Sequence, residues 1–173
     1  MIRTFLFFLL WSVVLVLAQA LVFNHICIMN VAIPIVFIYI IIRLPLTLGP
    51  KWTLTVAFLL GLAVDIFSDT YGMNSLSSVI TAALRRPVLR AYFPREQDLS
   101  YPQPSIRALG AAPYIKFVLT ITLIYCVILF LVESLTFFNP LRLVLRVVCS
   151  TILSSLILIS IDSLSLRHRE KRL

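Results

Sequence analysis

The chain has 173 residues, of which 61% are hydrophobic and only 13% are charged, and its mean hydropathy is +1.04. This composition lies far from that of soluble domains, so it indicates an integral membrane protein and excludes a soluble catalytic or nucleic-acid-binding module. The formal net charge of +8 has a topological origin, because the basic residues fall between hydrophobic segments.

Six apolar segments predict a single all-α domain with six transmembrane helices. The third to sixth segments are separated by loops of very different length, and the longest loop is basic and rich in proline. A membrane helix needs about 20 apolar residues, or somewhat fewer where flanking residues reach the interface. The predicted helices cover approximately 5–23, 26–42, 52–67, 71–88, 114–132 and 141–161, with a cytoplasmic loop at 89–113 and a basic tail at 162–173.

The first two segments each allow a second interpretation. Segment 5–23 is also similar to a signal peptide, because Ala18-Gln19-Ala20 follows an apolar core, but the apolar run continues past this site. Segment 26–42 contains Pro34, which a membrane helix tolerates where neighbouring groups satisfy the freed carbonyl. We interpret both segments as membrane helices.

The fourth segment is short, so a re-entrant hairpin competes with a full crossing. A crossing requires Arg85 and Arg86 to snorkel to the interface. With six crossings and a cytoplasmic amino terminus, thirteen of the fifteen basic residues lie on the cytoplasmic side, and only Arg142 and Arg146 do not. The positive-inside rule therefore favours a crossing, with both termini in the cytoplasm.

Small and acidic residues follow each other along one face of the third helix. Ala57, Gly61, Asp65 and Asp69 recur every four residues, so they share a face. Ala57 and Gly61 would let another helix approach closely, although this spacing can also arise by coincidence. A carboxylate within a membrane segment marks Asp65 as a candidate functional residue.

The predicted topology gathers charges near the outer ends of the helices. Intramembrane charges usually find opposite partners inside the bundle. We therefore predict that Arg142 or Arg146 pairs with Asp65 or Glu133. The alternative is that these side chains reach lipid headgroups.

The residue pattern contains no enzyme or metal signature. His25 and His168 are isolated in the sequence, and the cysteines have apolar neighbours and no metal-ligand spacing. No glycine-rich phosphate loop or serine–histidine–aspartate set is present. We expect a non-catalytic protein without a metal or cofactor.

One stretch resembles a known family. The pattern GLxxDxxS followed by G-x-N is similar to the third-helix signature of MreD, the rod shape-determining membrane protein, as are the chain length and the basic loop and tail. The long loop at 92–113 departs from that family. The residues that carry the motif are Gly61, Leu62, Asp65, Ser68, Gly72 and Asn74.

The resemblance implies a non-catalytic subunit of the bacterial cell-elongation machinery in the inner membrane. Its implied partners are a bitopic MreC-like protein, then RodA and its transpeptidase, and indirectly the actin-like MreB. The predicted helix-packing or partner-binding residues are Gly61, Asp65, Ser68, Gly72 and Asn74 of this motif, together with Ala57 from the spacing on the third helix. The basic loop and tail would contact anionic lipid or an acidic cytoplasmic partner.

MreD-like proteins are also similar in architecture to the substrate-binding subunits of vitamin transporters. That similarity supplies the alternative function, a membrane subunit that binds a small molecule or lipid. A selective outward pocket needs several aromatic and polar side chains, and the short outer loops offer few, among them Asn24, His25 and Asn139. A pore acting alone is less supported, because few polar residues could line it.

Overall fold

The computed structural model describes five stretches of the chain, which lie at residues 2–23, 33–93, 104–106, 110–134 and 140–170. Side chains are described in these stretches except at 2–9, 22–23, 140 and 164–170. The predictions for Asn24, His25 and Asn139, for most of the 89–113 loop and for the last residues of the tail lie outside the described residues. Within those stretches the chain forms helices joined by irregular segments, without a strand.

The described chain forms six α-helices. Helix α1 ends in a π-helical turn at Gln19–Phe23, and α2 is much shorter than the others. In order, the helices are α1 at Ile2–Ala18, α2 at Ile38–Arg43, α3 at Pro50–Ser68, α4 at Met73–Tyr92, α5 at Ala111–Glu133 and α6 at Pro140–Glu170.

Three of these helices are long and apolar enough to cross a membrane. They contain the segments Pro50–Ser68, Ala111–Glu133 and Leu141–Ser163, and a shorter apolar helix covers Leu10–Leu21. The all-helical membrane class is therefore supported by the described residues. The number of crossings, six, stays a prediction.

The second predicted helix differs most from the structure. Residues 33–36, which we call the interrupted segment, are not helical, and α2 begins only at Ile38. Pro34 lacks an N–H group and disfavours helical geometry at the residue before it, which accounts for the irregular backbone at 33–36. The remainder of the predicted helix, up to residue 32, lies outside the described residues.

Helix α2 lies at the centre of the bundle. Ile38, Ile41 and Ile42 are fully buried, as expected for a helix that is apolar on all sides. Just before it, the ring of Phe37 packs edge-on against Tyr125 of α5, with 5.6 Å between ring centroids. This short helix therefore links the interrupted segment to the long helices around it.

Helices α3 and α4 form a tight helical hairpin. Helix α3 begins with Pro50 in its first turn, a position that needs no N–H donor. Two residues in the left-handed region reverse the chain, Asp69 at φ +53° and Gly72 at φ +77°. The reversal brings the first turn of α4 against the last turns of α3.

Candidate functional site

Gly61 is the point of closest approach between α3 and α4. A Cβ atom at Gly61 would lie 2.6 Å from the Cα of Ser75 and 2.7 Å from the carbonyl oxygen of Asn74, so only glycine fits here. Ala57, one turn earlier on the same face, is fully buried. At Gly61 the close approach that the small residues predict is made with α4 of the same chain.

The carboxylate of Asp65 accepts five hydrogen bonds, all from neutral donors. Its Oδ1 accepts from the Thr70 hydroxyl at 2.6 Å, and from the backbone and side-chain amides of Asn74, each at 3.0 Å. Its Oδ2 accepts from the backbone N–H of Ser75 at 2.8 Å and from the Ser75 hydroxyl. Since the backbone amides of Asn74 and Ser75 belong to the first turn of α4, the Asp65 carboxylate caps that helix at its positive end.

The same network reaches a third helix through Asn74. The hydroxyl of Tyr125 in α5 donates to Asn74 Oδ1 at 2.7 Å, and both side chains are buried. A single interlocked group therefore joins three helices near one end of the bundle. We call it the joint, and it consists of Gly61, Asp65, Thr70, Asn74, Ser75 and Tyr125.

Three of the six motif residues, Gly61, Asp65 and Asn74, belong to the joint, and Leu62 is exposed. Gly72 is the residue before the first turn of α4 and takes a left-handed conformation. Ser68 lies half-buried in the last turn of α3. The predicted motif is thus a device for turning the chain and packing two helices.

Of the four ion pairs that the sequence allows between the two arginines and the two acids, the structure contains one. Arg146 donates to Glu133 at 2.8 Å, and its guanidinium lies 4.9 Å from the ring centre of Phe130. Arg142 is exposed and pairs with none of the described acidic residues. The alternative in which Asp65 pairs with an arginine is wrong within the described structure, because donors from the following turn and helix already occupy its oxygens.

A second buried acidic site lies on α6, outside the joint. Asp162 is fully buried and forms an ion pair with Arg43 at 3.0 Å. It also accepts from the Tyr39 hydroxyl at 3.2 Å and from the backbone N–H of Ile106 at 3.2 Å. This group, which we call the Arg43–Asp162 cluster, ties the end of α2 and part of the long loop to α6.

Arg85 and Arg86 of α4 donate hydrogen bonds to backbone carbonyls of the chain. Arg85 is 1% exposed and donates to the carbonyls of Ile42 and Leu44. Arg86, which is half-buried, donates to the carbonyl of Leu48 at 2.6 Å. The predicted snorkelling is therefore wrong for Arg85, because the end of α2 exposes carbonyls that need a donor.

The interrupted segment is held by side chains of two other helices. Gln19 in the π-helical turn accepts from the Val36 N–H at 2.7 Å and donates to the carbonyl of Pro34 at 3.1 Å. Ser150 and Ser154 of α6 accept from the two other amides of the segment, at 3.0 and 2.8 Å. Irregular backbone at membrane depth is stable only where protein satisfies it in this way.

Sequence reasoning missed three parts of this arrangement. Asp162 closely follows a long apolar run and falls in the predicted basic tail, although an acid in that position is itself a signal. The pattern around Gln19 predicts only a cleavage-like site. Ser150 and Ser154 are four residues apart, so they share a helix face, which was the available signal.

Hydrogen bonds within the joint occupy both oxygens of the Asp65 carboxylate, which limits the chemistry that this acid can perform. A carboxylate that accepts five hydrogen bonds has little free capacity to bind a substrate or transfer a proton. Among the described residues, no group of three or more histidine, cysteine, aspartate or glutamate side chains could hold a metal ion. Comparison of the chain with protein-family models, curated proteins and solved structures finds no match.

Proposed function

We propose that this chain is a non-catalytic membrane scaffold of the bacterial cell-elongation complex, similar to MreD proteins. It lies in the cytoplasmic membrane with both termini in the cytoplasm. It binds a bitopic MreC-like protein and, through that partner, RodA and a transpeptidase, with MreB as an indirect partner. Its basic loop contacts anionic lipid.

The joint is the observation that carries this proposal. Gly61 and Asp65, two residues of the MreD-like signature, contact the first turn of α4, and the carboxylate of Asp65 is fully engaged within the chain. A motif that fixes two helices against each other gives their outer faces a defined position, which suits a scaffold. It is less suited to catalysis, which needs an acid with free capacity.

The opposite face of α3 is the surface that we assign to the partner. Trp52, Leu59 and Ile66 are 65%, 56% and 70% exposed, and they recur every seven residues. This spacing is that of two membrane helices crossing in a left-handed pair. We call these three residues the α3 stripe and assign it to the membrane helix of the MreC-like protein.

Copurification from cells that need this protein for rod shape tests the assignment. The double variant Leu59→Ala and Ile66→Ala is compared with Leu119→Ala and Leu123→Ala, which change an exposed face of α5. We expect only the α3 variant to lose the MreC-like partner and rod shape, at an unchanged protein level. Retention of the partner by both variants contradicts the assignment.

The interrupted segment favours a second candidate function, a membrane subunit that binds a small molecule or lipid. Broken helices at membrane depth and π-helical turns both occur at binding sites of transporters and other proteins. Here the interrupted segment lies next to the π-helical turn at Gln19–Phe23. Mass spectrometry of the purified protein separates the two functions, since a retained vitamin-like compound supports the transporter subunit and a stoichiometric MreC-like protein supports the scaffold.

A further inference from the structure

Helix α4 turns its polar side chains toward the interior of the bundle. Asn74, Ser78, Thr81 and Arg85 follow each other at spacings of four, three and four residues, and all are buried. Leu76 on the other side of the helix is 48% exposed. In a membrane protein such an inward polar face contacts either protein groups or water.

The middle of this face carries two buried hydroxyls, those of Ser78 and Thr81, without a hydrogen bond of ordinary geometry to a described protein group. The Ser78 hydroxyl lies beside that of Tyr125, and both side chains are fully buried. Other helix hydroxyls in the chain donate to the carbonyl four residues earlier, as Ser77 does at 2.7 Å and Thr122 at 2.8 Å. The hydroxyls of Ser78 and Thr81 therefore do not use their own backbone.

The two ends of the polar face differ. Toward the joint, the face leads to Asn74 and then to the turn between α3 and α4, where Tyr71 is 98% exposed. In the other direction, Arg85 donates to the carbonyl of Ile42, and Leu89 beyond it is fully buried. The face is thus polar up to an exposed turn and ends at a closed, apolar layer.

We propose that Ser78 and Thr81 form a water-binding site inside the bundle, reached from the turn between α3 and α4. Each hydroxyl can both donate and accept, and a buried water molecule needs two to four such polar partners. The Tyr125 hydroxyl beside Ser78 adds a further polar atom. In this proposal the site is a recess that opens toward the turn between α3 and α4, and it does not depend on whether the chain is a scaffold or a transporter subunit.

Cysteine labelling tests the recess. Ser78→Cys and Thr81→Cys are made in the full-length chain with Cys27, Cys126 and Cys149 changed to alanine. The folded proteins, in lipid nanodiscs, are treated with a small water-soluble methanethiosulfonate. Tyr71→Cys serves as the exposed reference.

Leu76→Cys on the lipid-facing side of α4 is the matched control. We expect both interior cysteines to react about tenfold or more faster than this control, because a thiolate forms and reacts only where water reaches it. Ser78→Cys should react before Thr81→Cys. Rates equal to the control overturn the proposal, provided that all variants react after denaturation in SDS.

A second measurement uses the unaltered protein and does not depend on the variants folding. An experimental structure that resolves ordered water should place a water molecule within hydrogen-bond distance of each hydroxyl. If both hydroxyls instead bond to carbonyls of their own helix, the proposal is overturned.

Discussion

Among the described residues two carboxylates are buried, and they are stabilised by different kinds of partner. Asp65 is 4% exposed and accepts only from neutral hydroxyl and amide donors. Asp162 is fully buried and faces the guanidinium of Arg43. The comparison shows that the amino-terminal turn of a helix can take the place of a cation, because its free amides and dipole favour negative charge.

The two sites also differ in the sequence distance over which they are assembled. All donors to Asp65 lie five to ten residues after it. Asp162 takes the Tyr39 hydroxyl from 123 residues away and the Ile106 amide from 56 residues away. The joint can form with the α3–α4 hairpin alone, whereas the Arg43–Asp162 cluster requires the whole bundle to close.

The largest expected effect comes from removing the charge of Asp162. Asp162→Asn leaves the guanidinium of Arg43, whose side chain is 17% exposed, without its counter-charge, which should lower the free energy of unfolding by about 3 kcal/mol. SDS titration of the protein in mixed micelles measures the loss. Adding Arg43→Met should restore much of the stability, because the uncompensated cation is then absent. Equal stability of Asp162→Asn and the unaltered protein would contradict a buried ion pair.

Adding a single methyl group at Gly61 should destabilise the joint. Gly61→Ala places a Cβ atom against backbone atoms of Ser75, which cannot rotate away, so α3 and α4 must separate. We expect a loss of about 3 kcal/mol, at the upper end of typical overpacking costs. Gly49→Ala is the matched control, since a Cβ there meets no atom within 4 Å. If both variants unfold at the same SDS fraction, the close approach is not present in solution.

Asp65→Asn tests whether a buried carboxylate is stabilised by neutral donors, in contrast to the arginine that stabilises Asp162. The change replaces Oδ2 by an amide group that faces the two donors of Ser75, so about 2 kcal/mol of stability should be lost. In contrast to Asp162→Asn, removing an arginine should not restore stability, because Asp65 has no cation partner among the described residues. If Arg146→Met does restore it, the two side chains are coupled after all.

The sequence predicted the joint well in position but not in its partners. Local spacing placed Ala57, Gly61 and Asp65 on one face, and the structure packs that face against a helix. The expectation that an acid seeks an arginine led to Arg146, although Thr70, Asn74 and Ser75 were available as neighbouring donors. The hydroxyl and amide side chains of a turn can hydrogen-bond a nearby carboxylate as well as end a helix, and at Asp65 they do so.

The interrupted segment could not be derived in the same way. Pro34 signals either a kink or a break, and the choice depends on which groups of other helices lie beside it. Gln19 and Ser154 supply those groups, and their position follows from the packing of α1 and α6. Local sequence carries no information about that packing, which also explains why the partners of Asp162 were missed.

The smallest expected effect belongs to the ion pair that the sequence did predict. The side chains of Arg146 and Glu133 are 29% and 39% exposed, so solvent competes for both charges, unlike those of Arg43 and Asp162. Glu133→Gln should therefore cost about 0–1 kcal/mol, and the loss should vanish in high salt. Thermal unfolding at low and high salt measures this, with Arg142→Gln as the control because Arg142 is exposed and has no described acidic partner. A loss as large as that of Asp162→Asn, at either salt concentration, would mean that Glu133 lies in a surface buried by a partner or by a second copy of the chain.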